Sequence, residues 1–129
     1  SNSKITVNYE MPLSYLYEPN AAILKSGAFH QIAAEFNLFK LHKHSHLYTS
    51  NSLIDFPGRR FKIEQVLKYD KKLLKKMIPE KKANITIRNF PKTVAQIRKE
   101  TSLKDGGKSY LFFTTDMKNN HICLLTKKC

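Results

Sequence analysis

Between Arg59 and Thr126 the spacing of apolar residues switches repeatedly between the periods of strand and helix, and that order admits few folds. Residues 59–68 (RRFKIEQVLK) alternate. Phe61 and Ile63, with Val66 as a candidate third, face one side, and Lys62 and Glu64 face the other, as in a half-buried strand. Asp70 is placed to cap a helix over 71–78. There Leu73, Leu74, Met77 and Ile78 share one side and Lys71, Lys72, Lys75 and Lys76 the other, and Pro79 stops it. Residues 83–88 (ANITIR) predict a strand. A second helix is expected from Asn89 to Leu103, with Asn89 or Phe90 near the cap and Pro91 in the first turn. Its inward residues are Val94, Ile97 and Thr101. Asp105-Gly106-Gly107 is a turn. Residues 109–115 and 121–126 are two strands joined as a hairpin through Lys118-Asn119-Asn120. Strand, helix, strand, helix, strand, strand reads as an α+β or α/β sandwich on one mixed sheet.

The part before Pro57 is less regular. Residues 4–9 form a short strand or a linker, and 14–18 (SYLYE) an extended piece before Pro19. Ala22, Ile23, Phe29, Ile32, Ala33 and Phe36 recur at helical spacing, with Gly27 able to divide the helix and Asn37 to end it. Residues 38–42 and 46–49 are short strand candidates. Phe56-Pro57-Gly58 marks a turn, and we place the junction between two modules there, 1–56 and 57–129.

Charge changes at the same point. Residues 1–56 carry four Lys and no Arg against Glu10, Glu18, Glu35 and Asp55, for a net charge of zero. Residues 57–129 carry nineteen Lys and Arg against six acids and so the whole +13. A segment this basic is built to meet a polyanion, and nucleic acid is the expected one, because bound phosphates release their counterions. Solvated lysines that merely keep the surface soluble are the plainer alternative.

Catalytic signatures are lacking. The sequence holds no GxSxG, P-loop, HExxH or CxxC, and no glycine-rich turn from strand into helix. We therefore expect no active centre and no bound cofactor in this chain. Glu18 and Glu35 read as isolated surface or capping carboxylates. His42, His44 and His46 would point the same way on an extended strand and could offer three imidazoles to Zn²⁺. The triplet crosses an expected turn, however, and no neighbouring Cys or Asp completes a site, so no metal is assigned. Cys123 and Cys129 do not make a disulfide framework, which fits a reducing cytoplasm. No apolar run approaches the roughly 20 residues of a membrane span, and no signal peptide is recognisable. Ser1-Asn2 and the lack of an initiator Met suggest an excised piece of a longer protein.

The candidate anion-binding residues are the cations of the second module. Seven lysines lie between residues 68 and 82. The full set is Arg59, Arg60, Lys71, Lys72, Lys75, Lys76, Lys81, Lys82, Arg88, Lys92, Arg98, Lys99, Lys104 and Lys108. Lys92 is expected in the first turn of the second helix, where free N–H groups attract anions. Lys104, Gly106, Gly107 and Lys108 form a turn whose N–H groups could cradle a phosphate.

The stretches YLYEPNAAILKSGAF (15–29), LHKHSHLYTS (41–50), FPGRRFKI (56–63), KKANITIRNFP (81–91), IRKETSLKDGGKSYLFFTT (97–115) and HICLLTKK (121–128) resemble the C-terminal part of bacterial class I S-adenosylmethionine-dependent methyltransferase-like proteins. The resemblance implies a small ferredoxin-like module followed by a THUMP-like module. It also implies that this region grips structured RNA, commonly tRNA, for a catalytic domain lying before residue 1. S-adenosylmethionine would bind that domain, so none of its ligands can be assigned here. The alternative is a structural or protein-interaction module that docks on the catalytic domain without touching RNA, through apolar residues left bare near Tyr15, Leu16 and Tyr17.

Overall fold

The computed structural model describes residues 6–129. Lys4 and Ile5, the start of the expected segment 4–9, lie outside them. The elements run β1 (Tyr15–Pro19), α1 (Ala21–Ser26), α2 (Phe29–Glu35), β2 (Phe39–Lys40), β3 (Tyr48–Ser50), β4 (Gly58–Lys68), α3 (Lys71–Met77), β5 (Asn84–Arg88), α4 (Val94–Thr101), β6 (Tyr110–Thr115) and β7 (His121–Lys128). All seven strands belong to one sheet in the order β2-β3-β1-β4-β7-β6-β5. Only β5 and β6 are parallel, and α4 makes the crossover that this pairing needs. The fold is α+β with a mixed sheet.

Local sequence explains most boundaries. Asn20 accepts the Ile23 N–H and starts α1, and Gly27, in the left-handed region at φ 71°, ends it. Asp70 accepts the Leu73 N–H and starts α3. The second long helix is shorter than expected. Thr93 and Gln96 form a capping box and set the start at Val94, while Asn89 is left-handed at φ 61°. Asn89, Phe90 and Pro91 therefore precede the helix, and Val94 is 37% exposed rather than inward. Between Ile63 and Gln65 the β4–β7 register shifts by one residue. Strict alternation would send Val66 to the opposite face from Ile63. The bulge at Glu64 returns it to the face of Phe61 and Ile63.

The sheet has two differently covered faces. On one, α3 and α4 bury Leu74, Ile78 and Ile97 against Leu111, Phe113, Cys123 and Leu125. On the same face, α2 packs Phe29, Ile32 and Ala33 against Tyr17, Tyr48 and Phe56. On the other face Phe61, Phe112 and Leu124 are fully buried, and what covers them is Leu41 and Leu47, from the loop between β2 and β3, beside Leu16 of β1. The two modules thus share one core. Each fully buried Phe or Leu contributes about 2–3 kcal/mol of transfer free energy.

Glu18 closes this shared face. It is a correction to the surface or capping role expected for it: its side chain is only 9% exposed. Arg59 Nε lies 2.6 Å from Oε1 and Arg88 Nη2 lies 2.6 Å from Oε2. Glu18 stands on β1 directly opposite Arg59 of β4, whereas Arg88 belongs to β5, four strands along from β1. The sheet coils far enough for its two arms to meet over the Phe112 face. The reason is electrostatic: a carboxylate withdrawn from water needs charge-assisted partners. Replacing Glu18 with Ala is expected to cost about 2–3 kcal/mol, below the roughly 3–5 of a fully buried pair because both guanidinium groups keep water contact. Urea denaturation of the variant measures this, and an unchanged midpoint would refute it.

Leu16 and Tyr17 are fully buried and Tyr15 is half-buried. The bare apolar patch expected there does not exist. Tyr17 fills the interior beside Phe56 and its hydroxyl donates to the Ser52 carbonyl.

Candidate nucleic-acid interface

The fourteen candidate cations fall into two groups by exposure. Lys71, Lys72, Lys75, Lys76, Lys81, Lys82, Lys99, Lys104 and Lys108 are exposed; Arg59, Arg60, Arg88, Lys92 and Arg98 are half-buried. All five of the latter have internal work. Arg59 and Arg88 hold Glu18. Arg60 donates to the Ile54 carbonyl. Arg98 donates to the carbonyls of Leu103 and Ala83 and pairs with Asp105 at 3.0 Å. Lys92 pairs with Glu100 at 2.9 Å and lies over the Tyr69 ring.

Lys92 precedes α4 instead of sitting in its first turn. The Gln96 N–H is taken by the Thr93 hydroxyl, and the Thr93 N–H by the Gln96 side chain. The expected phosphate-attracting N–H groups of this turn are thus partly satisfied by the chain itself.

Of the nine exposed candidates, four lie on α3, one on α4 and four in the adjoining loops, while Lys62, Lys68, Lys118, Lys127 and Lys128 are exposed on β4, β7 and the β6–β7 hairpin. Lys71, Lys72, Lys75 and Lys76 occupy two rows one turn apart on the outer side of α3, because Leu74 and Ile78 fix its inner side in the core. Lys81, Lys82 and Lys104 are joined by tertiary structure. The Lys104 N–H donates to the Lys81 carbonyl, and the Ala83 N–H donates to the Lys104 carbonyl, both at 2.9 Å. Left-handed backbone at Lys81, φ 59°, shapes this contact. Lys99 lies on the exposed side of α4, which packs beside α3.

The acids of this layer are engaged. Asp70 caps α3, and Asp105 faces Arg98. Glu100 accepts from Tyr69 and from Lys92, and first the Tyr69 hydrogen bond, then Lys92, holds its carboxyl below the ordinary value. Burial, aided by Glu100, pushes the Tyr69 hydroxyl up. Glu80 accepts the Lys108 N–H at 3.3 Å and lies against Gly107, where a Cβ would stand 2.8 Å from Oε1. The Gly106-Gly107 turn therefore already holds a carboxylate. Among the described residues, no lysine of α3 forms an ion pair.

Two features escaped the sequence reading. One is Glu18, a lone carboxylate inside the apolar run YLYEP. The other is Lys40, which is 1% exposed, donates to the Lys43 carbonyl and lies over the Phe29 ring. Burial lowers its affinity for a proton. Its place within FKL is the available signal, since a strand so short and apolar has little room for a solvated face.

The histidines diverge. His42 Nε2 lies 2.8 Å from Asn119 Oδ1, and His42 Nδ1 accepts the His44 N–H. His46, at left-handed φ 51°, turns its ring to Phe29. Burial lowers the His46 pKa, and Lys40 adds to that. Among the described residues no three His, Cys, Asp or Glu side chains are grouped to hold a metal ion, and no helix is long and apolar enough to cross a membrane.

Comparison with known proteins places these features in a family context. Residues 15–57 match a ferredoxin-like domain model, and residues 58–128 match a THUMP domain-like model. A crystal structure of a provisionally assigned methyltransferase from Porphyromonas gingivalis W83 superposes with a TM-score of 0.88 at 37% identity. The match covers 97% of this chain and 32% of that one, so the chain spans about a third of the length of that relative. No curated protein matches.

Proposed function

Because the chain belongs, through residues 58–128, to the THUMP domain-like family and carries a ferredoxin-like domain before it, we propose that it binds structured RNA, tRNA being one candidate, and positions it for a methyltransferase domain of the same polypeptide. That domain would use S-adenosylmethionine and would work in a cytoplasm. The relative's longer chain and its assignment as a methyltransferase support this reading.

The observation that carries the proposal is the unneutralised lysine surface on α3 and α4. Nine exposed lysines lie on α3, α4 and the adjoining loops, while the neighbouring acids are committed to a cap, to Arg98, to Lys92 and Tyr69, and to backbone. Self-repulsion among so many like charges is tolerated where a polyanion relieves it. The surface we assign to the RNA backbone is Lys71, Lys72, Lys75, Lys76, Lys81, Lys82, Lys99, Lys104 and Lys108. The five half-buried cations support the fold and orient that surface.

Binding should fall steeply with salt. If about half of the nine lysines neutralise phosphates, the slope of log K against log salt is about −4. Filter binding of a structured RNA across a salt series measures the slope, and a value near zero would contradict the proposal. The same titration separates the interaction-module alternative, which requires no affinity for RNA.

A further inference from the structure

Three of the large apolar side chains exposed to water gather at one place, on surface outside α3 and α4. Of the five among the described residues, Tyr9, Val66 and Met117 are 39%, 47% and 40% exposed. They line two neighbouring cavities that share Asn119. One, of about 600 Å³, is bounded by Tyr9 and Met117 together with His42 and His44. The other, of about 700 Å³, is bounded by Val66 and Met11. Tyr9 and Met11 come from the incoming segment, Val66 from β4 and Met117 from the β6–β7 hairpin. Val66 stands opposite Leu124, so it lies on the sheet face away from α3 and α4.

Nothing in these elements requires that surface to be apolar. Val66 occupies a strand position where Lys62, Glu64 and Lys68 stay solvated, and Met117 sits at a hairpin tip whose other residues, Lys118, Asn119 and Asn120, are polar. Yet the tip is held firmly. The buried Asp116 carboxylate accepts the N–H groups of Lys118 and Asn120 and the Asn120 side-chain amide. The incoming segment is equally fixed. The Lys40 N–H donates to the Asn8 carbonyl, the Glu10 N–H to the Lys40 carbonyl, and the Leu13 N–H to the Thr49 hydroxyl. The linings are mixed, with Lys43, Lys68, Asn119, Asn120 and His121 interleaved among the exposed apolar side chains, and a fixed surface of that mixed kind is the character of an interface between domains of one chain.

We propose that this groove docks the further domain that the reading above places in the same polypeptide. Two observations select that occupant. The similar solved chain is about three times as long as this one, so a large body of protein accompanies this fold there. The incoming segment itself forms one wall of the groove, so whatever it connects to is tethered at the groove's edge. Tethering supplies millimolar effective concentration, and a modest apolar patch then suffices for stable docking. The inference rests on the reading that a further domain belongs to this polypeptide. Docked there, that domain leaves the lysine surface of α3 and α4 open to RNA.

The test compares hydrogen–deuterium exchange in the longer polypeptide with that in residues 1–129 alone, and in both with the paired substitutions Val66→Lys and Met117→Lys. Both positions are exposed, so the substitutions should not unfold the protein, which a melting curve verifies. Amides around 64–68 and 116–120 are expected to exchange at least about fivefold more slowly in the longer polypeptide, and the double variant is expected to abolish that difference. Equal exchange in the two wild-type chains would overturn the proposal. So would protection that survives the substitutions. Sedimentation of residues 1–129 as a dimer with protection of these same segments would also overturn it, by making a second copy the occupant. RNA affinity of the double variant is expected to be unchanged, so a failure of docking and a failure of RNA binding give different results.

Discussion

Replacing Lys71, Lys72, Lys75 and Lys76 together with Glu is expected to weaken binding of structured RNA by at least about 100-fold at low salt, or about 3 kcal/mol. The four side chains are exposed and none forms an ion pair among the described residues. Each lysine in contact with a phosphate contributes about one unit to the salt slope. If three of the four make such contacts, the slope should become shallower by about 3 in the variant. Folding should be nearly unaffected, within about 0.5 kcal/mol per site, because surface substitutions away from caps and core change little. Asp70, Leu74 and Ile78, which do hold α3, are untouched. A variant that melts normally and binds RNA with undiminished affinity would remove α3 from the interface. Neutral Gln at the same positions should lie between the wild-type and Glu variants, since it removes attraction without adding repulsion.

Cutting the chain between Pro57 and Gly58 is expected to leave residues 58–129 without a native fold. The family boundary falls there, but the core does not divide there. Removal of the first module would bare Phe61, Phe112 and Leu124, all now 0% exposed, by taking away Leu16, Leu41 and Leu47. It would leave Arg59 and Arg88 without Glu18. It would also strip β1 from residues 58–62 of β4 and leave that stretch an unpaired edge. The Ser45 hydroxyl, which donates to the Thr115 carbonyl at 2.8 Å, would go too. At about 2–5 kcal/mol for each, losing all of these buried contacts together costs as much as the 5–15 kcal/mol margin of a typical domain. The fragment should bind hydrophobic dyes, self-associate and melt without a cooperative transition. A monomeric fragment with a sharp melt close to that of residues 1–129 would show that the second module is a folding unit by itself.

The legible part of this protein was the part decided locally. The period of Phe61 and Ile63, the Asp70 cap, the two-sided pattern of α3 and the hairpin at Lys118-Asn119-Asn120 each depend on residues a few positions apart. Secondary structure and the order of elements in 58–129 followed from them. Where a local signal had two readings, structure chose between them. Asn89 and Pro91 resembled a helix start, but the Thr93–Gln96 capping box satisfies N–H groups that an earlier start would leave to water. The short pieces 39–40 and 48–50 have too few residues for any period, and their strand character comes from pairing: 48–50 with β1, and 39–40 with 48–50.

The candidate site divides along the same line. That residues after Pro57 carry the excess positive charge is a property of composition, and so is their suitability for a polyanion. Which cations remain free for a ligand was set by contacts across 41 and 70 positions of chain, as Glu18 recruits Arg59 and Arg88. A buried carboxylate must find positive charge wherever the fold brings it, and no local pattern states where that is. Sequence alone therefore determined the charge, the periods and the turns. Tertiary structure alone decided the sharing of one core by two modules, the engagement of five half-buried cations in internal contacts and the placing of Lys81 and Lys82 beside Lys104, because each depends on which distant surfaces the fold brings together.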